Sequence, residues 1–257
     1  GSEPAISDHV EHYDGNTWSD GGFLPNTAAG AGAAGTENSA LKFGGTPSTE
    51  TVSYNGFVWQ TGGSLSTAAR YLGSAGFTED SALAFGGKSP SIETSTEEYN
   101  GVTWSEGGAL GTAVVYNAGA GSQNAALSMG GQNPSPAAAG AVSGSTCHYD
   151  GTSWSAGGGL IHDVRESTAA GTQNAALLYG GTVTPSAPAQ TAEYDGCVWI
   201  SCSDMNDGRF GGARGGGADF ALMAGGGAPG ASNKTEEYVK THSGRAYLLN
   251  KKIKAQE

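Results

Sequence analysis

YNGVTWSEGG occupies residues 99–108, and close copies stand at 13–22 (YDGNTWSDGG), 54–63 (YNGFVWQTGG), 149–158 (YDGTSWSAGG) and, more loosely, 194–203 (YDGCVWISCS). Their tryptophans, Trp18, Trp59, Trp104, Trp154 and Trp199, are 41, 45, 50 and 45 residues apart. A second signature lies between them: ALKFGG at 40–45, ALAFGG at 82–87, ALSMGG at 126–131, ALLYGG at 176–181 and ALMAGG at 221–226. An Ala/Gly-rich stretch precedes it each time, as in AAGAGAAG and NAGAGSQ. Five units of about this length predict an all-β propeller of five blades, each a four-stranded antiparallel sheet.

Each piece of the repeat suits one strand. The Ala/Gly stretch is the innermost, because blades converge on the axis and large side chains would clash there. SALAFGG is the second, alternating around Leu83 and Phe85, and its diglycine marks a sharp bend or a close backbone approach. A variable loop absorbs the differences in length. The third strand ends at Tyr99, and Asn100-Gly101 predicts a two-residue primed hairpin turn. The fourth carries Trp104. The repeated aromatics, Tyr13, Trp18, Tyr54, Trp59, Tyr99, Trp104, Tyr149, Trp154, Tyr194 and Trp199, then read as packing between neighbouring sheets. The repeats fall near 8–45, 50–87, 94–131, 144–181 and 190–226, within a propeller spanning 1–233.

The two ends compete for one place. An outer hairpin at 8–19 precedes any inner pair, and TEEYVKTHSGRAYLLN at 235–250 is a further outer-like piece. The full Tyr-Asp-Gly…Trp signature favours ring closure by the N-terminal hairpin. The alternative is local completion of the last blade, with Tyr247 near the tryptophan position. Under the first arrangement residues 234–257 form a basic segment, an extra strand or a tail docking on a partner through Lys240, Arg245, Lys251, Lys252 and Lys254. That segment carries a net +3, against −15 for residues 1–233.

Composition excludes several classes. Glycine supplies 45 of 257 residues, well over twice the usual roughly 7 %. A net charge of −12 excludes nucleic-acid binding by bulk electrostatics, which needs lysine and arginine against phosphate. No apolar run approaches the roughly 18 residues of a membrane helix. The chain shows neither a signal peptide nor an initiator Met, as expected of a processed or trimmed product. Cys147, Cys197 and Cys202 are too few and too uneven for a disulfide framework and read as strand cysteines.

Catalytic equipment is thin, and neither a cofactor nor a metal is expected. His9, His12, His148, His162 and His242 show no metal-ligand spacing, and His12 and His148 read as strand-surface residues beside the hairpin tyrosines. YDGNTWS departs from the Asp-box pattern of sialidases. SDMNDG at 203–208 misses the acidic spacing of a calcium loop, and NKT at 233–235 is a formal glycosylation sequon. Of the body's arginines (Arg70, Arg165, Arg209 and Arg214), Arg70 and Arg165 lie near comparable inner-strand starts; they read first as salt-bridged or solvated loop residues, and alternatively as lining one end of the channel. The fifth repeat departs most from the pattern, with Ser203-Asp204 in place of the diglycine and then RFGGARGGG.

The diglycine, the tyrosine twelve residues on at Tyr99 and the tryptophan five after that resemble kelch repeats, over nearly residues 8–240. The wording EEYNG-TW-GG with AAL-x-FGG also resembles repetitive kelch-like proteins of tailed phages, marine ones especially. That resemblance implies a non-enzymatic structural or attachment module of a virion tail or surface appendage. It would sit in the virion, or otherwise be extracellular, in multiple copies, and would contact other virion proteins or a cell-surface glycan through its loops. A lectin-type propeller, with sugars stacked on aromatics in equivalent inter-blade pockets, is the first alternative. A propeller hydrolase or oxidase is the second.

Overall fold

The computed structural model describes residues 6–134, 141–183, 186–227 and 230–240 in full, and residues 246–249 as backbone. Five sheets of four antiparallel strands form a propeller ring. The first blade takes Gly32–Thr36, Ser39–Phe43, Thr51–Tyr54 and Trp59–Thr61. The second takes Gly73–Thr78, Ser81–Phe85, Thr96–Tyr99 and Trp104–Glu106. The third takes Ala118–Ser122, Ala125–Met129, Thr146–Tyr149 and Trp154–Ala156. The fourth takes Thr168–Thr172, Ala175–Tyr179, Thr191–Tyr194 and Trp199–Ser201. The fifth takes Ala213–Gly216, Phe220–Ala224, Thr235–Lys240 and Ala246–Leu249. Inside each blade the strands pair in chain order, the Ala/Gly strand innermost.

The inner strands are small because they nearly touch. A Cβ on Gly119 would stand 2.2 Å from the carbonyl oxygen of Ser74 in the preceding blade. The second strand alternates as its pattern predicts. Leu41 and Phe43 face forward onto Ala82, Ala84 and Tyr99 of the next blade, and Leu83 and Phe85 face Ala126 and Tyr149. Leu127 and Met129 meet Ala176, Leu178 and Tyr194, and Leu177 and Tyr179 meet Ala221, Met223 and Tyr238. Large therefore meets small at Ala82, Ala84, Ala126, Ala176 and Ala221, while Leu178 and Met223 bring a further large apolar side chain to the last two interfaces. Each buried Leu or Phe contributes about 1.5–3 kcal/mol.

Both glycines of the diglycine that follows each second strand are left-handed, for example Gly130 at φ 61° and Gly131 at φ 100°. The second one donates its N–H to a carbonyl of the following blade: Gly45 to Ala69, Gly87 to Val114, Gly131 to Val164 and Gly181 to Arg209. At the first one a Cβ would lie within 2.6 Å of a carbonyl oxygen of the following blade in four of the five copies, 2.4 Å from the Val164 oxygen at Gly130.

Three expectations need correction. First, the N-terminal hairpin, His9–Tyr13 with Trp18–Phe23, pairs only with itself and does not complete the last blade. Thr235–Lys240 and Ala246–Leu249 do that locally, so the propeller runs past residue 233. One reason is entropic: closing a connection of ten residues rather than roughly two hundred saves about 2–3 kcal/mol. In register it is Leu248, not Tyr247, that stands opposite Tyr238 where the other blades place tryptophan. Second, Lys240 belongs to the third strand of the fifth blade rather than to a separate tail, and its Nζ sits 2.7 Å from Glu193 of the fourth blade. Arg245, Lys251, Lys252 and Lys254 lie outside the described residues.

Third, the outer turn is not a two-residue primed turn. Tyr99 pairs with Trp104 around a four-residue loop. A type I′ turn needs positive φ at both central residues, and only Gly101 has it. The Asn100 side chain accepts from the N–H groups of Val102 and Thr103, at 3.0 and 2.9 Å, which holds the longer loop. Asp14, Asp150 and Asp195 do the same in their copies, and these backbone donors hold their carboxyls below the usual range.

Candidate functional site

The repeated aromatics tie blade to blade. The indole Nε1–H of Trp104 donates to Thr51 of the preceding blade at 2.9 Å, Trp154 to Thr96 at 2.9 Å and Trp199 to Thr146 at 3.0 Å. The hairpin tyrosines act in parallel. Tyr149 donates to Glu98 at 2.5 Å, Tyr194 pairs with His148 at 2.7 Å and Tyr238 donates to Glu193. His148 thus serves as a blade-to-blade partner, and burial lowers its pKa. Tyr54, Tyr99, Tyr149 and Tyr194 are all at most 5 % exposed. Those four rings offer no face for a sugar to stack on, whereas Trp18, Trp59, Trp104 and Trp154 are only partly buried.

The axis holds a different arrangement. Two residues before each inner strand the backbone turns left-handed, at Gly30, Tyr71, Tyr116, Glu166 and Gly211, with φ between 56° and 68°. They are hydrogen-bonded in sequence around the axis. Tyr71 N–H donates to Gly30 at 2.7 Å, Tyr116 to Tyr71 at 2.9 Å, Glu166 to Tyr116 at 2.9 Å and Gly211 to Glu166 at 2.8 Å. Two of the five are glycine, the residue this conformation favours. At the other three a side chain persists at a cost of roughly 1–2 kcal/mol each. Strain kept at one place is an observation that points to function.

Those side chains and their neighbours cap one mouth of the channel. The Tyr71 and Tyr116 rings lie 4.5 Å apart. The Arg70 guanidinium stands 5.2 Å from the centre of the Tyr71 ring, and that of Arg165 stands 5.8 Å from the centre of Tyr116. All four are half-buried. Arg165 bonds to Gln132 and lies 3.9 Å from Glu166. Arg70 makes no ion pair among the described residues, and the Nε–H groups of both arginines are buried without an acceptor. Burial, with Tyr71 and Glu166 beside it, raises the Tyr116 pKa. The mouth therefore offers cationic donors and aromatic faces on a protein that is acidic overall. Arg70 and Arg165 thus stand beside the ring of left-handed residues, Arg165 within 3.9 Å of Glu166. Tyr71, Tyr116 and Glu166 were not singled out from sequence. Aligning the starts of the inner strands would have found them, since glycine stands at the same place in two of the five copies.

The other two arginines are structural. Arg214 reaches across the channel from the fifth blade. Its guanidinium bonds to the carbonyls of Gly119, of Ser74 at 2.8 Å and of Ala33 at 3.3 Å, the residues at its own register position in the third, second and first blades. Burial lowers its pKa. From Arg214 toward the C-terminal ends of the inner strands a void of about 580 Å³ opens, lined by Thr36, Glu37, Phe77 and Gly216 among others. Arg209 is fully buried, where the other blades carry Ala69, Val114 and Val164, and pairs with Glu236 at 2.6 Å. SDMNDG is absorbed here as well: Asn206 bonds to Glu236, and Asp207 pairs with Lys234.

No known family model matches the chain, and no curated protein matches it. Among the described residues no group of three or more His, Cys, Asp or Glu could hold a metal ion. The three cysteines are free, and burial raises the Cys202 thiol to about 11.

Proposed function

We propose that the protein is a non-enzymatic recognition module, a structural or attachment component of a phage virion, which binds its partner at the arginine–tyrosine mouth of the propeller. The virion setting rests on the resemblance of the repeats to kelch-like proteins of tailed phages. The binding reading rests on one observation: three side chains persist at left-handed positions around the axis where the fold itself uses glycine, and two arginines pack beside them with unused donors. Such a mouth suits a ligand with a flat or ring-shaped body and an anionic group. A cell-surface glycan bearing a carboxylate combines both, so the lectin reading survives as a single axial site rather than as five repeated pockets. Several copies on one particle would add avidity to a weak single contact.

The test is binding of labelled protein to intact bacterial cells and to a glycan array, with the wild type beside Arg70→Gln/Arg165→Gln. Saturable wild-type binding that the double variant loses, at unchanged thermal stability, supports the reading. Equal binding by both places recognition elsewhere on the propeller and refutes this site.

A further inference from the structure

Five outer turns share one plan, an Asn or Asp followed by Gly. At residues 14, 150 and 195 the first is aspartate; at 55 and 100 it is asparagine, and no other asparagine of the chain precedes glycine. In each turn this side chain accepts from the backbone N–H groups two and three residues on. For Asn55 the donors are Phe57 at 3.1 Å and Val58 at 3.0 Å, and for Asn100 they are Val102 at 3.0 Å and Thr103 at 2.9 Å. In all four bonds the acceptor is Oδ1. Both asparagines are exposed to water. The N–H groups of Gly56 and Gly101 make no backbone hydrogen bond among the described residues.

An Asn-Gly pair carries its own nucleophile. The glycine nitrogen bonds to the asparagine Cγ and closes a five-membered imide, an approach that a side chain on the second residue would crowd. The Cγ–Nδ2 bond breaks, and the proton of the glycine nitrogen leaves with the amide as ammonia. Negative charge develops on Oδ1 during this step. In these two turns Oδ1 already rests on two backbone donors at 2.9–3.1 Å, which is the geometry of an oxyanion hole. Water then opens the imide. Attack at Cγ breaks the Cγ–N bond, returns one water proton to the glycine nitrogen and leaves an ordinary aspartate. Attack at the backbone carbonyl would leave isoaspartate instead. The two donors polarise the Cγ carbonyl and so direct water to it. The product has a place ready: Asp150 takes the same pair of bonds from Thr152 and Ser153 at 2.9 and 2.7 Å, and Asp195 takes them from Cys197 and Val198 at 2.9 and 2.8 Å.

We infer that Asn55 and Asn100 are self-modification sites, at which the folded hairpin turn hydrolyses its own side-chain amide to aspartate and ammonia. Each conversion adds one negative charge to a chain that already carries −12. The two sites are not equal. An oxygen of Asp80 lies 3.1 Å from the Cβ position at Gly101, whereas Gly56 faces the uncharged Asn38. An anion beside the turn opposes the charge developing on Oδ1 and then the new carboxylate, so Asn55 reacts first. The other copies show the same complementarity, since the turns holding Asp150 and Asp195 face Asn124 and Asn174.

The test incubates the whole folded chain at mildly alkaline pH beside the same chain unfolded in urea. Peptide mass spectrometry, with fragmentation that separates aspartate from isoaspartate, follows both. The folded chain should convert Asn55, then Asn100, and no other asparagine at a comparable rate. Its aspartate-to-isoaspartate ratio should exceed that of the unfolded chain, in which no donors are held on Oδ1, by about tenfold or more. Hydroxylamine added during the incubation should cut the chain after Asn55 and Asn100, which reports the imide. Asn55→Asp should fold with an unchanged or higher Tm. Asn55→Gln, whose longer side chain cannot close the five-membered ring, should stay intact at that position while Asn100 still reacts. Absence of conversion in the folded chain overturns the inference. So does an isomer ratio that is the same folded and unfolded, a lowered Tm for Asn55→Asp, or reaction of Asn100 ahead of Asn55.

Discussion

Replacing Thr96 by valine isolates the bond that repeats around the rim. Thr96 is 1 % exposed, and its Oγ1 accepts the indole N–H of Trp154 at 2.9 Å. Valine keeps the shape and removes only the acceptor, so the N–H is left without a partner. Such an orphan costs about 1–3 kcal/mol, and the half-exposed indole places the loss at about 1–2 kcal/mol. For a chain of this size each kcal/mol lowers Tm by about 2–4 °C, so the midpoint should fall by about 2–8 °C. The protein already contains the same defect once. Trp59 has a buried N–H with no acceptor, because the hairpin that precedes its blade carries Val10 where the blades carry threonine. The decisive assay is a double-mutant cycle in urea with Trp154→Phe. Thr96→Val should cost little in the phenylalanine background. An equal cost in both backgrounds, with coupling below about 0.3 kcal/mol, would refute the hydrogen bond as the reason for the Thr–Trp pairing. Val10→Thr should conversely stabilise the protein, and only while Trp59 is present.

Gly130→Ala and Gly225→Ala should differ. Both glycines are left-handed, but a Cβ would lie 2.4 Å from a carbonyl oxygen at the first and 3.5 Å from one at the second. Urea denaturation should give a loss of at least about 3 kcal/mol for the first and about 1–2 kcal/mol for the second; equal losses would mean that the approach of the Val164 carbonyl is not what requires glycine at 130. Arg209→Ala leaves the Glu236 carboxylate buried and unpaired, and should cost about 3–5 kcal/mol in the same assay. Burial, followed by Glu237 and Glu98 respectively, pushes Tyr13 and Tyr149 up to about 12. Folding favours their protonated forms, so this contribution is complete below about pH 10 and is lost as pH rises toward 12. Tyrosine absorbance followed together with circular dichroism should show these two ionising late or with unfolding, and Tyr149→Phe should move the alkaline midpoint upward. Ionisation of both near pH 10 in the folded protein would contradict it.

The repeat itself determined the blade count, the order of strands and the facing of Leu83 and Phe85, because those follow from local spacing and the period-two pleat. It also marked Arg70 and Arg165 as neighbours of the inner strands. Tertiary structure decided the rest. Asn100 and Asp14 bend their turns through side-chain bonds that a dipeptide rule does not contain. Which end completed the last blade turned on competition between two segments that both read as outer hairpins, settled by loop closure and by the outer contacts of Trp18 and Tyr13. The meaning of Tyr71, Tyr116 and Glu166 emerged only when the ring brought five distant left-handed residues together around one axis, because a backbone conformation shared across blades leaves no spacing to read within any one of them.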